Sequence, residues 1–142
     1  MSTPTETRNF VTWSEKYSVG ITRIDQEHQR LMDLLNELHV AVTAGRGADV
    51  VGKVLAGLAS YTITHFTNEE MLLRTHKYPD YQRHREQHQE LIDVVQQLQR
   101  DFRTGKADIS KETLLFLQRW LIGHILGVDR KYAPHLKAAG VT

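Results

Sequence analysis

The chain has 142 residues, 40% hydrophobic and 25% charged, which fits one domain able to bury roughly 68–70% of its unfolded surface. Its 18 Lys and Arg against 17 Asp and Glu leave a net charge of +1, too balanced for the footprint of a nucleic-acid or anionic-lipid binder. With no cysteine, disulfides, iron–sulfur clusters, c-type haem attachment and thiolate zinc sites are all excluded.

Residues 1–20 read as an irregular arm. Its start, MSTPTETRNF, is polar and lacks an apolar signal region, and no apolar run in the chain approaches ~18 residues. The expectation is a cytoplasmic protein that is not inserted in a membrane. Trp13, Tyr17, Val19 and Ile21 suggest that the arm packs onto the domain. A first helix is expected over 25–44, with Asp25 as N-cap and Gly45-Arg46-Gly47 as its stop. Its apolar stripe is Ile24, His28, Leu31, Leu35, Leu38 and Val42.

The second helix, 48–74, repeats the alternating spacing of four and three with Val51, Leu55, Leu58, Thr62, His65, Glu69 and Leu72, and Tyr78-Pro79-Asp80 supplies a turn. The third, 81–103, carries Tyr81, His84, His88, Leu91, Val95, Leu98 and Phe102. The fourth, 111–132, starts after Ser110 as N-cap and shows Leu114, Leu117, Leu121, His124 and Val128, with Pro134 near its end. Four helices of about 20 residues or more on short connections predict an all-α, antiparallel up-down-up-down four-helix bundle, one domain spanning 1–142.

In each stripe a metal-ligand side chain stands where a leucine is expected. His28 lies near the start of the first helix, His65 and Glu69 toward the end of the second, His84 and His88 near the start of the third, and His124 with Asp129 toward the end of the fourth. An up-down-up-down bundle brings all seven to one end. Burying such groups is costly unless every polar atom finds a partner. A lone stripe histidine is more often an ordinary core residue; the conjunction of seven is not. His39, His76 and His135, off the stripes, are expected to be solvent-exposed.

Five imidazoles and two carboxylates are too many for one tetrahedral zinc, and the mix of N and O donors suits a pair of iron ions, or less often manganese. Arg85 follows His84, so the zinc-protease pattern H-E-x-x-H is absent. The Glu-x-x-His pairs of di-iron carboxylate enzymes are absent too. A histidine-rich centre favours a carrier over an oxidase.

Three blocks, WSEKYSVGITRIDQEH, HFTNEE followed by YPDYQRHREQH, and WLIGHILGVDRKY, together resemble the hemerythrins, in particular the single-domain bacteriohemerythrins, from about Trp13 to Tyr132. The resemblance implies two iron ions per chain, one held by His84, His88 and His124 and the other by His28 and His65. Glu69 and Asp129 would bridge them with an oxo or hydroxo group, leaving an open position on the two-histidine iron for reversible dioxygen binding. Leu31, Phe66, Trp120, Leu121 and Ile125 would form the oxygen pocket, a dry site with no acid; Leu31 and Leu121 are also explained by packing alone.

The function so implied is oxygen storage, transport or delivery to an oxygen-consuming enzyme. A di-iron peroxidase or oxidase, or a nitric-oxide handling protein, is the enzymatic alternative. An oxygen sensor is the third, for which the chain is expected to leave no room for an output domain. One local difficulty remains. His124 and Asp129 are five apart, directions that differ by about 140° on an ideal helix, so a π-type turn near Leu126-Gly127 is expected.

Overall fold

A computed structural model describes residues 10–105 and 108–142. Positions 1–9 of the expected arm lie outside the described residues. The helices are α1 (Thr22–Thr43), α2 (Ala48–Thr75), α3 (Tyr81–Arg103), α4 (Lys111–His124) and α5 (Arg130–Ala138); a π turn, Ile125–Asp129, joins the last two into one continuous rod. Connections over 44–47, 76–80 and 104–110 are too short to let consecutive helices run parallel, so the bundle is antiparallel, as the stripes predict.

The main core lies along the bundle axis and contains Leu31, Leu35, Leu38, Val51, Leu55, Leu58, Leu91, Val95, Leu114 and Leu117. A second, smaller cluster closes one end. It gathers Val19 and Ile21 of the arm, Ile24 of α1, Leu73 of α2, and Tyr132, Ala133 and Leu136 of α5. The arm is pinned from both sides. Val11 and Asn36 exchange two hydrogen bonds, Gln118 Nε2 donates to the Phe10 carbonyl, and the Arg130 guanidinium donates to the Lys16 carbonyl.

Two helix ends differ from the sequence reading. The first helix begins at Thr22 rather than Asp25, with Ile21 at the N-cap. Asp25 sits inside the helix and turns back to the arm, accepting from Val19 N at 2.9 Å and Ser18 Oγ at 2.5 Å. An aspartate in the first turn serves the helix dipole equally well, so its side chain is free to order the arm. At the other end, the helix expected to stop at 132 continues through Pro134 to Ala138. Leu136 is fully buried in the smaller cluster, and tertiary packing of this kind overrides a proline's local penalty.

Candidate metal centre

The donors lie between the two apolar clusters. His28, His65, Glu69, His84, His88, His124 and Asp129 are all buried, with Glu69, His88 and Asp129 at 0% exposure. Their ligand atoms form two overlapping groups, one of Glu69, His84, His88, His124 and Asp129 and one of His28, His65, Glu69 and Asp129, each with all atoms within 4.8 Å of one another. The two carboxylates are common to both groups.

Each shared carboxylate turns one oxygen toward each group. Glu69 Oε1 lies 2.9 Å from His84 Nε2 and 3.0 Å from His88 Nε2, while its Oε2 lies 3.7 Å from His65 Nε2 and 3.9 Å from His28 Nε2. Asp129 Oδ1 lies 3.1 Å from His84 Nε2 and 3.0 Å from His124 Nε2, and its Oδ2 is 3.0 Å from His28 Nε2. These Asp129 contacts are close, but their angles make no hydrogen bond: both Asp129 oxygens and both His28 ring nitrogens are buried without a hydrogen-bond partner. Orphaned buried oxygens facing orphaned nitrogens fit a pair of cations between them.

The π turn makes this convergence possible. Arg130 N–H bonds to the Ile125 carbonyl, five residues back, and the wide turn offsets the extra residue between His124 and Asp129. The expected irregularity is therefore present, spanning Ile125–Asp129 around Leu126-Gly127. Gly127, however, keeps ordinary helical handedness, and a Cβ there would meet nothing within 4 Å.

Three further side chains at the centre escaped the sequence reading. Glu27 Oε1 accepts from His65 Nδ1 at 2.7 Å, and Glu70 Oε2 accepts from His88 Nδ1 at 2.8 Å. An ionised carboxylate only accepts, so both imidazoles carry a proton on Nδ1, and in their neutral form they point an Nε2 lone pair into the cage. The third is Tyr132, fully buried, whose hydroxyl donates to Glu69 Oε2 at 2.6 Å. Each stands beside a ligand or a turn from one, which is the signal that could have found them: Glu27 precedes His28, Glu70 follows Glu69, and Tyr132 is three residues past Asp129.

Charge and burial pull against each other here. Burial pushes Glu69 and Asp129 up, and Glu69 is raised further by Asp129, but the surrounding imidazoles win and hold both well below the usual carboxylate range. Burial likewise depresses the imidazoles, yet the Asp129 and Glu69 carboxylates push His84 up to about 10 and raise His28; in His88, Glu69 and Glu70 do the same. Burial first, then the nearby Glu69 and Asp129, keeps the Tyr132 phenol well above its ordinary value. It is a hydrogen-bond donor throughout the physiological range.

On the main-core side, separated from the donors by Phe66 and Trp120, lies a cavity of about 30 Å³ lined by Leu31, Leu35, Leu58, Thr62, Phe66, Leu91, Val95, Leu117, Trp120 and Leu121. Its one hydroxyl, Thr62 Oγ1, is committed to the Leu58 carbonyl at 2.7 Å. Four of the five expected pocket residues line it: Leu31, Phe66, Trp120 and Leu121. Ile125 is fully buried but is not part of the lining. Phe66 stacks on His88 with centroids 3.7 Å apart, and Trp120 stacks on His124 at 4.4 Å.

The three histidines left out of the site stand apart from the cage but are half-buried, not exposed as expected. His39 stacks on Phe10 at 4.3 Å, and His135 Nε2 donates to the His76 carbonyl at 2.6 Å. An imidazole off the stripe still covers apolar surface at its edge.

The description "Hemerythrin HHE cation binding domain" matches residues 19–136. The bacteriohemerythrin of Stenotrophomonas maltophilia (strain R551-3) is 39% identical over 129 residues, covering 91% of this chain and 83% of the relative. That of Methylococcus capsulatus is 32% identical over 130 residues, covering 91% and 98%. A solved structure titled as wild-type hemerythrin superposes with a TM-score of 0.85 at 31% identity, covering 89% of this chain and 98% of that one. No described helix is long and apolar enough to cross a membrane. With the family's match spanning all seven donors and a solved hemerythrin sharing the bundle, the chain belongs to the hemerythrin family.

Proposed function

We propose that the chain binds dioxygen reversibly at a non-haem di-iron centre, for storage, transport or delivery to an oxygen-consuming enzyme, and is not itself an enzyme. The observation that carries this reading is the unequal donor set beside an apolar cavity. His84, His88 and His124 would hold one iron and His28 and His65 the other, with Glu69, Asp129 and an oxo or hydroxo group bridging. Three imidazoles against two would leave the second ion with one protein ligand fewer. When bound, the iron pair supplies the electrons that reversible dioxygen binding requires.

The chain's own residues do the rest. Glu27 and Glu70 hold His65 and His88 in the tautomer that offers Nε2 to a metal. Tyr132 donates to Glu69 from the side opposite the cavity, steadying a carboxylate shared by both groups. Leu31, Phe66, Trp120 and Leu121 keep water and acids away from the open position, which discourages proton delivery and loss of reduced oxygen. Ile125 backs this layer from within the core.

The test is a visible spectrum of iron-loaded, anaerobically reduced protein before air, after air, and after the oxygen is removed. The proposal expects an absorption band that appears and disappears with oxygen. Oxygen consumed with no recoverable oxygenated form would favour the oxidase or peroxidase reading.

A further inference from the structure

Two chains of polar side chains run outward from the donor cage, one from each group, in the same order. In the first, His65 Nδ1 donates to Glu27 Oε1 at 2.7 Å, and Glu27 Oε2 accepts from Asn68 Nδ2 at 3.2 Å and Arg23 Nε at 3.3 Å. In the second, His88 Nδ1 donates to Glu70 Oε2 at 2.8 Å, and Glu70 Oε1 lies 3.8 Å from Arg85 Nε. Each runs from a buried imidazole through a mostly buried carboxylate to an exposed arginine. Each imidazole–carboxylate link also crosses a helix interface: Glu27 of α1 reaches His65 of α2, and Glu70 of α2 reaches His88 of α3.

Resting on the di-iron reading, we infer that Glu27 and Glu70 are positioning residues that tune the two metal positions separately, Glu27 the two-histidine position and Glu70 the three-histidine one. A carboxylate accepting the far N–H polarises the imidazole and makes its Nε2 a stronger donor, and it fixes the ring's orientation. Among the described residues, no other donor imidazole has a carboxylate on its Nδ1: the remaining contacts of His28, His84 and His124 with carboxylates are all through Nε2. His28 Nδ1 has no hydrogen-bond partner at all. One charged partner therefore serves each group, with an arginine near the surface end of each carboxylate. For a centre whose two ions differ in coordination, separate control of each is what the arrangement supplies.

The probe is cobalt(II) titrated into the metal-depleted full chain, followed by absorption for affinity and by proton NMR of the hyperfine-shifted imidazole N–H resonances. Wild type takes up two ions. Glu27→Gln, which keeps an acceptor but removes the charge, is expected to weaken one ion about 10–100-fold and leave the other within about threefold; Glu70→Gln weakens the other ion by a similar factor. Each variant displaces a different N–H resonance. Glu37→Gln is the control, since Glu37 Oε2 lies 3.8 Å from Arg30 Nη1 with both side chains about half exposed and no imidazole attached; it changes neither ion. Glu27→Asp and Glu70→Asp, which retain the charge one carbon further back, fall between, and carry the comparison where a glutamine variant does not fold. Both variants weakening the same ion, or neither altering an affinity or a resonance, overturns the inference and leaves the di-iron reading intact. A wild-type chain that takes up fewer than two ions overturns that reading, and the inference with it.

Discussion

Asp129 Oδ1 lies 3.0 Å from His124 Nε2, although the two are five residues apart on a single helical rod. On a regular α-helix their side chains would diverge by about 140°. The π turn over Ile125–Asp129 removes that divergence, so the local backbone defect and the site are one feature.

Gly127 lies within that turn but is not what permits it, because its backbone is right-handed and the space beside its Cα is open. Gly127→Ala is expected to leave metal content unchanged and to stabilise the protein by up to about 0.5–1 kcal/mol through the lower chain entropy of alanine. Denaturant unfolding with metal analysis checks both. A loss of metal in this variant would mean that the turn depends on glycine after all.

Tyr132→Phe removes the only hydroxyl on Glu69 among the described residues while keeping the ring that packs in the smaller cluster. A hydrogen bond to a charged acceptor is worth about 1.5–3 kcal/mol, and a loss of that size is expected in urea unfolding. The visible spectrum of the iron-loaded variant should also shift, since Glu69 faces both donor groups. An unchanged stability and spectrum would show that the contact is incidental.

The bundle and six of its donors were legible because each of the six interrupts a stripe that leucines and valines already define; Asp129 stands off its stripe, and the π turn brings it inward. The partners were not. Glu27 and Glu70 stand one position off their stripes, about 100° around the helix, where a glutamate ordinarily faces water. Only the neighbouring helix turns that position into an interface, and helix spacing in one segment carries no information about its neighbour. Asp25 shows the converse: its residue type suits an N-cap, but the amide it serves belongs to the arm at Val19. The end of the last helix was obscured by Pro134, a local signal that the burial of Leu136 outweighs.

Leu31 and Ile125 separate two ways of disturbing the pocket. Both are buried, but only Leu31 lines the cavity. Either alanine variant is expected to cost about 2–5 kcal/mol of stability. Leu31→Ala enlarges the cavity and should accelerate autoxidation with iron content intact; Ile125→Ala should do so less. The decay of the oxygenated spectrum in air measures this, and equal rates in both variants would mean that the cavity is not the oxygen's surroundings.

Stability should depend on pH differently with and without metal. In the depleted chain, His28, His84 and His88 have raised values, so their contribution is whole below the ordinary 6.5 and is lost as pH rises, up to about 10 for His84. Glu69 and Asp129 are depressed from 4.5 and 3.8, so theirs is present above those values and is lost as pH falls through the lowered ones. The depleted chain is thus favoured between pH about 4.5 and 6.5. Metal binding needs neutral imidazoles and strengthens as pH rises. The gap in melting temperature between loaded and depleted protein should therefore widen from pH 6.5 toward alkaline pH and close in acid, where protonation acts like a chelator. Calorimetric scans across pH check it; a constant gap would contradict the coupling between cage and metal.

The central claim is tested most directly by gas uptake. Reduced, iron-loaded protein is titrated anaerobically with dioxygen, the bound gas is measured against iron, and the sample is then evacuated. The account predicts one dioxygen for every two irons, recovered on evacuation with the reduced spectrum restored. Uptake without recovery, or no uptake by protein that holds both irons, would contradict it.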